Sequence, residues 1–113
     1  MSNWRDMADR LGGKAPSGAR RSPKWRKFRD GYLKGKRCAV CGGSRSLTLH
    51  HIIPFHLAPD LELDPDNVTV LCEAKRYGIN CHLLCGHLGN WQRIAVDCRA
   101  LAAYWHQRLI KDR

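Results

Sequence analysis

This chain has no long apolar run. No stretch approaches the roughly 20 residues of a membrane span, so no membrane partner is expected. The opening residues Met1-Ser2-Asn3-Trp4-Arg5-Asp6 begin no apolar segment, and no signal peptide is expected. No internal repeat is visible. Acidic residues are scarce at the front: residues 1–37 carry twelve Lys/Arg against Asp6, Asp9 and Asp30, a net of +9. Residues 38–113 carry eight against seven, a net of +1. Length is the other shortage. At 113 residues there is room for one compact domain and only a small core, and such domains often need a staple.

What the chain has is cysteine, six in all. With no signal peptide, a cytoplasmic setting is expected, where clustered thiols favour zinc over disulfides. Cys38-x2-Cys41 is a zinc half-site, because a short turn points two thiolates at one tetrahedral ion. Its partners must come from Cys72, Cys81, Cys85 and Cys98. Cys72 ends an expected strand and Cys81 opens an expected helix, the usual donor places, so Cys38, Cys41, Cys72 and Cys81 form the preferred structural zinc set. The eight residues Glu73 to Asn80 between them are then an insertion. A rival set uses Cys81 with Cys85, which share a helix face at i, i+4. Cys85 and Cys98 lie in apolar settings that favour packed thiols.

Residues 12–23 are rich in Gly, Ser, Pro and charge and predict a flexible linker. Before them, Trp4 to Leu11 could form a short helix. After them, Ser22-Pro23 predicts a helix start, with Ser22 as cap. Trp25, Phe28 and Tyr32 follow at helical spacing and are assigned as core anchors rather than base-stacking residues. Leu47 to His50 and Val68 to Leu71 predict strands, joined by a loop over 55–66 that ends in Asp64-Pro65-Asp66. A helix is expected from Asn80 or Cys81. The last helix, over 91–111, is expected to turn Trp91, Ile94, Ala95, Cys98, Leu101, Ala102, Trp105 and Leu109 to one side.

Between the zinc half-sites lie His50-His51, then Asn67, then His82. In this order, with Cys-x2-Cys ahead of it, the pattern resembles the HNH endonuclease family over about residues 24–92. The run Cys81-His82-Leu83-Leu84-Cys85-Gly86-His87-Leu88-Gly89-Asn90-Trp91 also resembles small HNH proteins of phages and prophages. The resemblance implies an α+β fold: a zinc-stapled ββα-metal (HNH or His-Me finger) core over about 38–90, flanked by N- and C-terminal helices. It implies a basic arm, 1–23, and a nuclease domain, 24–113. It further implies DNA phosphodiester hydrolysis in a bacterial or phage-infected cell.

Within that pattern His51 would be the general base, a role suited to a group titrating near neutrality. His50 and His82 would ligate a divalent ion (Mg²⁺, Mn²⁺, Ni²⁺ or Zn²⁺), and Asn67 would pin the loop that orients the base. His87 is the less regular candidate ligand, since five residues from His82 place it about 140° away on an ideal helix. Gly86 could bring it back. Adjacent strand residues point to opposite faces, so His50 and His51 share a site only where the strand ends. His56 and His106 are assigned structural or solvent-facing places, and Asp60, Glu62, Asp64 and Asp66 the capping and solvation of the loop. Arg20, Arg21, Lys24, Arg26, Lys27, Lys34, Lys36 and Arg37 are the candidate DNA-phosphate contacts. The alternative function is a non-catalytic zinc-ribbon module that binds DNA or serves a phage packaging machine.

Overall fold

The computed structural model describes residues 21–111, so the expected helix at 4–11, most of the linker and Arg20 lie outside the described residues. Helix α1 spans Trp25–Leu33, strand β1 Leu47–His51 and strand β2 Val68–Cys72. Two 3₁₀ turns, Pro59–Leu61 and Pro65–Asn67, shape the loop between the strands. A π-helical turn covers His82–Gly86, and helix α2 spans Cys98–Lys111. The fold is therefore α+β, a two-stranded sheet flanked by helices, with four cysteines gathered at one end. This is consistent with a zinc-stapled ββα-metal fold.

The strands pair antiparallel, with Leu49 opposite Val70, His50 opposite Thr69 and His51 opposite Val68. Directly paired residues share a face, so this register divides the chemistry of the molecule in two. Leu49, Val68 and Val70 pack beneath Trp25, Phe28 and Tyr32 of α1, which serve as core anchors. On the other side Leu71 joins Cys85, Ala95, Cys98 and Ala102 around the knuckle cysteines. Every residue of β2 is buried, as a strand covered on both faces must be. Each fully buried Val or Leu contributes about 1.5–3 kcal/mol, which suffices for so short a sheet only with additional ties. Arg99 of α2 supplies one, donating from Nη2 to the carbonyls of Pro65 and Val68 at 2.7 Å each.

Three sequence expectations shift. Helix α1 begins at Trp25 rather than Pro23: the Ser22 hydroxyl accepts from the Lys24 N–H at 3.0 Å, and the Ser22 carbonyl from the Trp25 N–H. Ser22 thus makes a turn that leads into the helix instead of capping it. The last helix starts at Cys98, not 91. Leu88 and Gly89 take positive φ (53° and 81°) and Asn90 accepts from the Gln92 N–H at 3.0 Å, so the chain turns there despite its helical period. Trp91 and Ile94 consequently leave the helix, and Trp105 sits at its margin, 38% exposed. The helix expected from Asn80 or Cys81 is the five-residue π turn.

Candidate metal centres at the end of the hairpin

Four thiols converge first. Cys38 and Cys41 come from the turn before β1, Cys72 from the last position of β2 and Cys81 from the entry to the π turn. Their sulfurs lie within 4.8 Å of one another and all four residues are buried. A tetrahedral zinc with bonds of about 2.3 Å requires sulfurs roughly 3.8 Å apart, and the Cys41–Cys72 separation is 3.5 Å. The donors fit such an ion and could hold it. The Cys38 thiol is drawn down to about 4, chiefly by a hydrogen bond from Cys81, with backbone N–H groups helping. Burial pushes Cys72 up to about 11, and the same bond to Cys38 pushes Cys81 up. Cys85 and Cys98, outside this group, are pushed up to about 11 and about 12 by burial, as inert packed thiols are.

The second cluster is imidazole. His50, His82 and His87 place ring nitrogens within 4.8 Å of one another, with pairwise ring centroids 5.0 Å apart. The π turn makes this possible. Its i→i+5 winding sets residues five apart side by side, where an α-helix would separate them. Gly86 lies beneath the triad, and a Cβ there would come 3.0 Å from both His50 Cε1 and His82 Cδ2. We therefore expect Gly86→Ala to spread the triad and weaken Ni²⁺ binding to zinc-loaded protein at least tenfold by calorimetry. Unchanged affinity would contradict this geometry.

The outer nitrogens are already committed. His82 Nδ1–H donates to the Glu73 carboxylate at 2.8 Å, and His87 Nδ1–H to the Arg93 carbonyl at 3.0 Å. Each arrangement leaves Nε2 with its lone pair, the pattern of histidines prepared for a metal. His50 Nδ1 lies 3.1 Å from His82 Nε2, and His50 Nε2 is buried with no partner among the described residues. Burial, with His82 and His87 adding to it, pushes His50 down to about 3, and burial also lowers His87. Three convergent imidazoles, one with a buried nitrogen that lacks a partner, fit a divalent cation and could hold one.

His51 is turned to the opposite face of β1. Its ring lies 4.7 Å from Trp25, and its Nε2–H donates to the Glu62 carbonyl at 2.8 Å. Since a carbonyl only accepts, that bond fixes the tautomer and leaves Nδ1 as the free base. His51 is the last residue of β1, and a cavity of about 770 Å³ wraps round the strand end, lined by His50, His51, His82 and His87 together. Asn67 lies beside it, 6% exposed. Its Oδ1 accepts from the Ile53 N–H at 2.9 Å and its Nδ2–H donates to the Ile53 carbonyl at 3.0 Å. It thereby clasps the chain where it leaves the strand.

Glu62 departs from its expected place in solvating the loop. It is 4% exposed, accepting from the Ser22 N–H at 2.9 Å and from Arg21 Nη1 at 3.2 Å. Arg21 also lies over the rings of Trp25 and Phe55, at 4.9 and 4.7 Å, and lines the cavity. Trp91, expected in the core, is 51% exposed and stands edge-on to His82 with centroids 5.1 Å apart. His56 also lines the cavity, whereas His106 is tied through Nδ1 to the Val40 carbonyl at 2.9 Å. Lys24 just before α1, Arg26 and Lys27 on it, and Lys34, Lys36 and Arg37 after it are exposed. Glu62, Glu73 and Trp91 escaped the sequence reading. Only Glu73, next to a cysteine ligand, carried a local signal.

Residues 38–74 match the family model described as HNH endonuclease, consistent with an HNH-family protein. That segment holds the Cys-x2-Cys turn, both strands and the His-His and Asn positions. No curated protein and no solved structure matches the chain. The match, together with one cysteine and one histidine cluster able to bind metal, is consistent with nuclease-type activity. Among the described residues no helix is long and apolar enough to cross a membrane.

Proposed function

We propose that this chain is a metal-dependent DNA endonuclease acting at the end of the β hairpin. The observation that carries the reading is the tautomer of His51. A backbone carbonyl holds Nε2–H, so Nδ1 is left as a base in the same cavity as three convergent imidazoles. His51 Nδ1 takes a proton from the water that attacks the scissile phosphate, and the Glu62 carbonyl stabilises the imidazolium that forms. Asn67 keeps residues 51–53 in place during this transfer. His50, His82 and His87 would hold a divalent cation. When bound, it supplies Lewis-acid stabilisation of the phosphate and the leaving 3′ oxygen. Cys38, Cys41, Cys72 and Cys81 would hold a structural zinc. Arg21 and the exposed lysines and arginines of α1 meet backbone phosphates, with the arm, 1–23, extending that contact from the 24–113 domain.

A non-catalytic zinc-ribbon module leaves the histidine triad and the fixed tautomer of His51 without a shared purpose. The test is nicking of supercoiled plasmid with Mg²⁺, Mn²⁺ or Ni²⁺, against EDTA and His51→Ala. A wild type that cuts with none of these ions removes the enzymatic reading.

Burial also holds His51 below its ordinary value of 6.5. The base is active when neutral, so activity is lost only as pH falls through the lowered value. At saturating cation, the single-turnover rate should reach half its plateau at a pH below 6.5. An acid limb centred above 6.5 would contradict the assignment.

A further inference from the structure

A second concavity, of about 450 Å³, opens beside the knuckle, walled by Arg37, Ser44, Arg45, Ser46 and Arg76. No carboxylate lines it, and none of the three arginines forms an ion pair among the described residues. Arg37 donates to the Gly42 carbonyl and Arg76 to the Cys41 carbonyl, each at 3.2 Å. Those single bonds steady two guanidinium groups and leave most of their donors free. Arg45 is exposed and makes no hydrogen bond among the described residues. A zinc tetrathiolate would carry a formal charge of about −2, balancing two of the arginines. Arg45 is surplus to that balance.

The three guanidinium groups carry one positive charge more than that zinc centre would offset, and they match the fork geometry that binds phosphate oxygens. The site also has a fixed relation to the histidines. Ser46 stands four residues before His50. Ser46 has a positive φ (52°) and β1 begins at Leu47, so the concavity sits just before the strand that carries His50.

We infer that the Arg37–Arg45–Arg76 concavity binds a backbone phosphate of the polynucleotide, away from the bond held at the histidine triad. The identity of the polyanion rests on the nuclease reading; the clustering of charge does not. This site extends the grip on DNA past α1 and the arm to the knuckle side, and it gives the knuckle turn a contact with substrate.

The test is anisotropy of a short labelled duplex with zinc-loaded protein, across a salt series and without a second metal. Arg45→Ala should weaken binding about tenfold and lower the slope of log affinity against log salt by about 0.9, one phosphate contact. Arg45→Lys should keep the slope while losing part of the affinity. Arg108→Ala on α2, an equal change of charge elsewhere, should bind as wild type does. Melting curves confirm that each variant is folded. If Arg45→Ala matches wild type in affinity and slope, or Arg108→Ala loses as much, the site is refuted while the nuclease reading stands. A wild type that binds no duplex overturns both.

Discussion

Replacing His51 by alanine should lower the plasmid-nicking rate by about 10²–10⁴-fold, the range supplied by a positioned general base. That corresponds to about 3–5.5 kcal/mol of transition-state stabilisation. The loss belongs to the chemical step, because His51 lies on the α1 face of β1 while the candidate ligands gather on the other. Removing it leaves the triad whole, so affinity for Ni²⁺ and for duplex should stay near wild type. Some stability goes with the Trp25 contact and the bond to the Glu62 carbonyl, on the order of 1 kcal/mol. The signature is thus a collapsed rate with retained binding and fold. Nicking by His51→Ala at the wild-type rate would remove the base assignment, and lost cation binding would mean that His51 is itself a ligand.

Replacing Cys38 by serine should cost the fold. Cys38 is 2% exposed and its thiol is drawn down to about 4. Structural zinc contributes about 10–16 kcal/mol in zinc-finger peptides, comparable to the whole stability of a small domain at about 5–15 kcal/mol. Cys38→Ser should therefore lack bound zinc by elemental analysis and show no cooperative melting. Cys85→Ala is the companion variant. It removes a thiol equally buried, at 1%, but outside the four-sulfur group. It should keep its zinc and lose on the order of 1 kcal/mol, as ordinary point changes do. Full zinc occupancy in Cys38→Ser would refute the ligand set.

Much of this architecture was legible in the sequence, for reasons that are local. Val68-Thr69-Val70-Leu71 is β-branched and compact, and Cys38-x2-Cys41 has a spacing that few arrangements other than a knuckle require. Trp25, Phe28 and Tyr32 announce their buried side by period alone. What resisted was of two kinds. Ideal geometry misled where the backbone departs from it: His82 and His87 are ill-placed on an α-helix and adjacent on a π turn. Trp91 and Ile94 continue the period of a helix that Gly89 and Asn90 prevent from starting there. Partners assembled by tertiary structure left no trace. Glu62 reaches His51 across eleven residues through a main-chain carbonyl, which any residue type could provide. Its buried carboxylate is explained only by Arg21 and Ser22, some forty residues earlier.

The position of the four cysteines along the chain has a consequence for how the protein matures. His50 and His82 are 32 residues apart, and Cys41 and Cys72, which meet at 3.5 Å, are 31 apart. Closing a loop of that length costs about 3 kcal/mol of chain entropy, and the sulfur cluster, with the stronger grip, is what bears it. Imidazoles brought together only by that closure cannot hold a cation beforehand. On the proposed reading the sulfur site loads first and the histidine site second. On the nuclease reading proposed above, cleavage would gain its Lewis acid only after the first ion is in place.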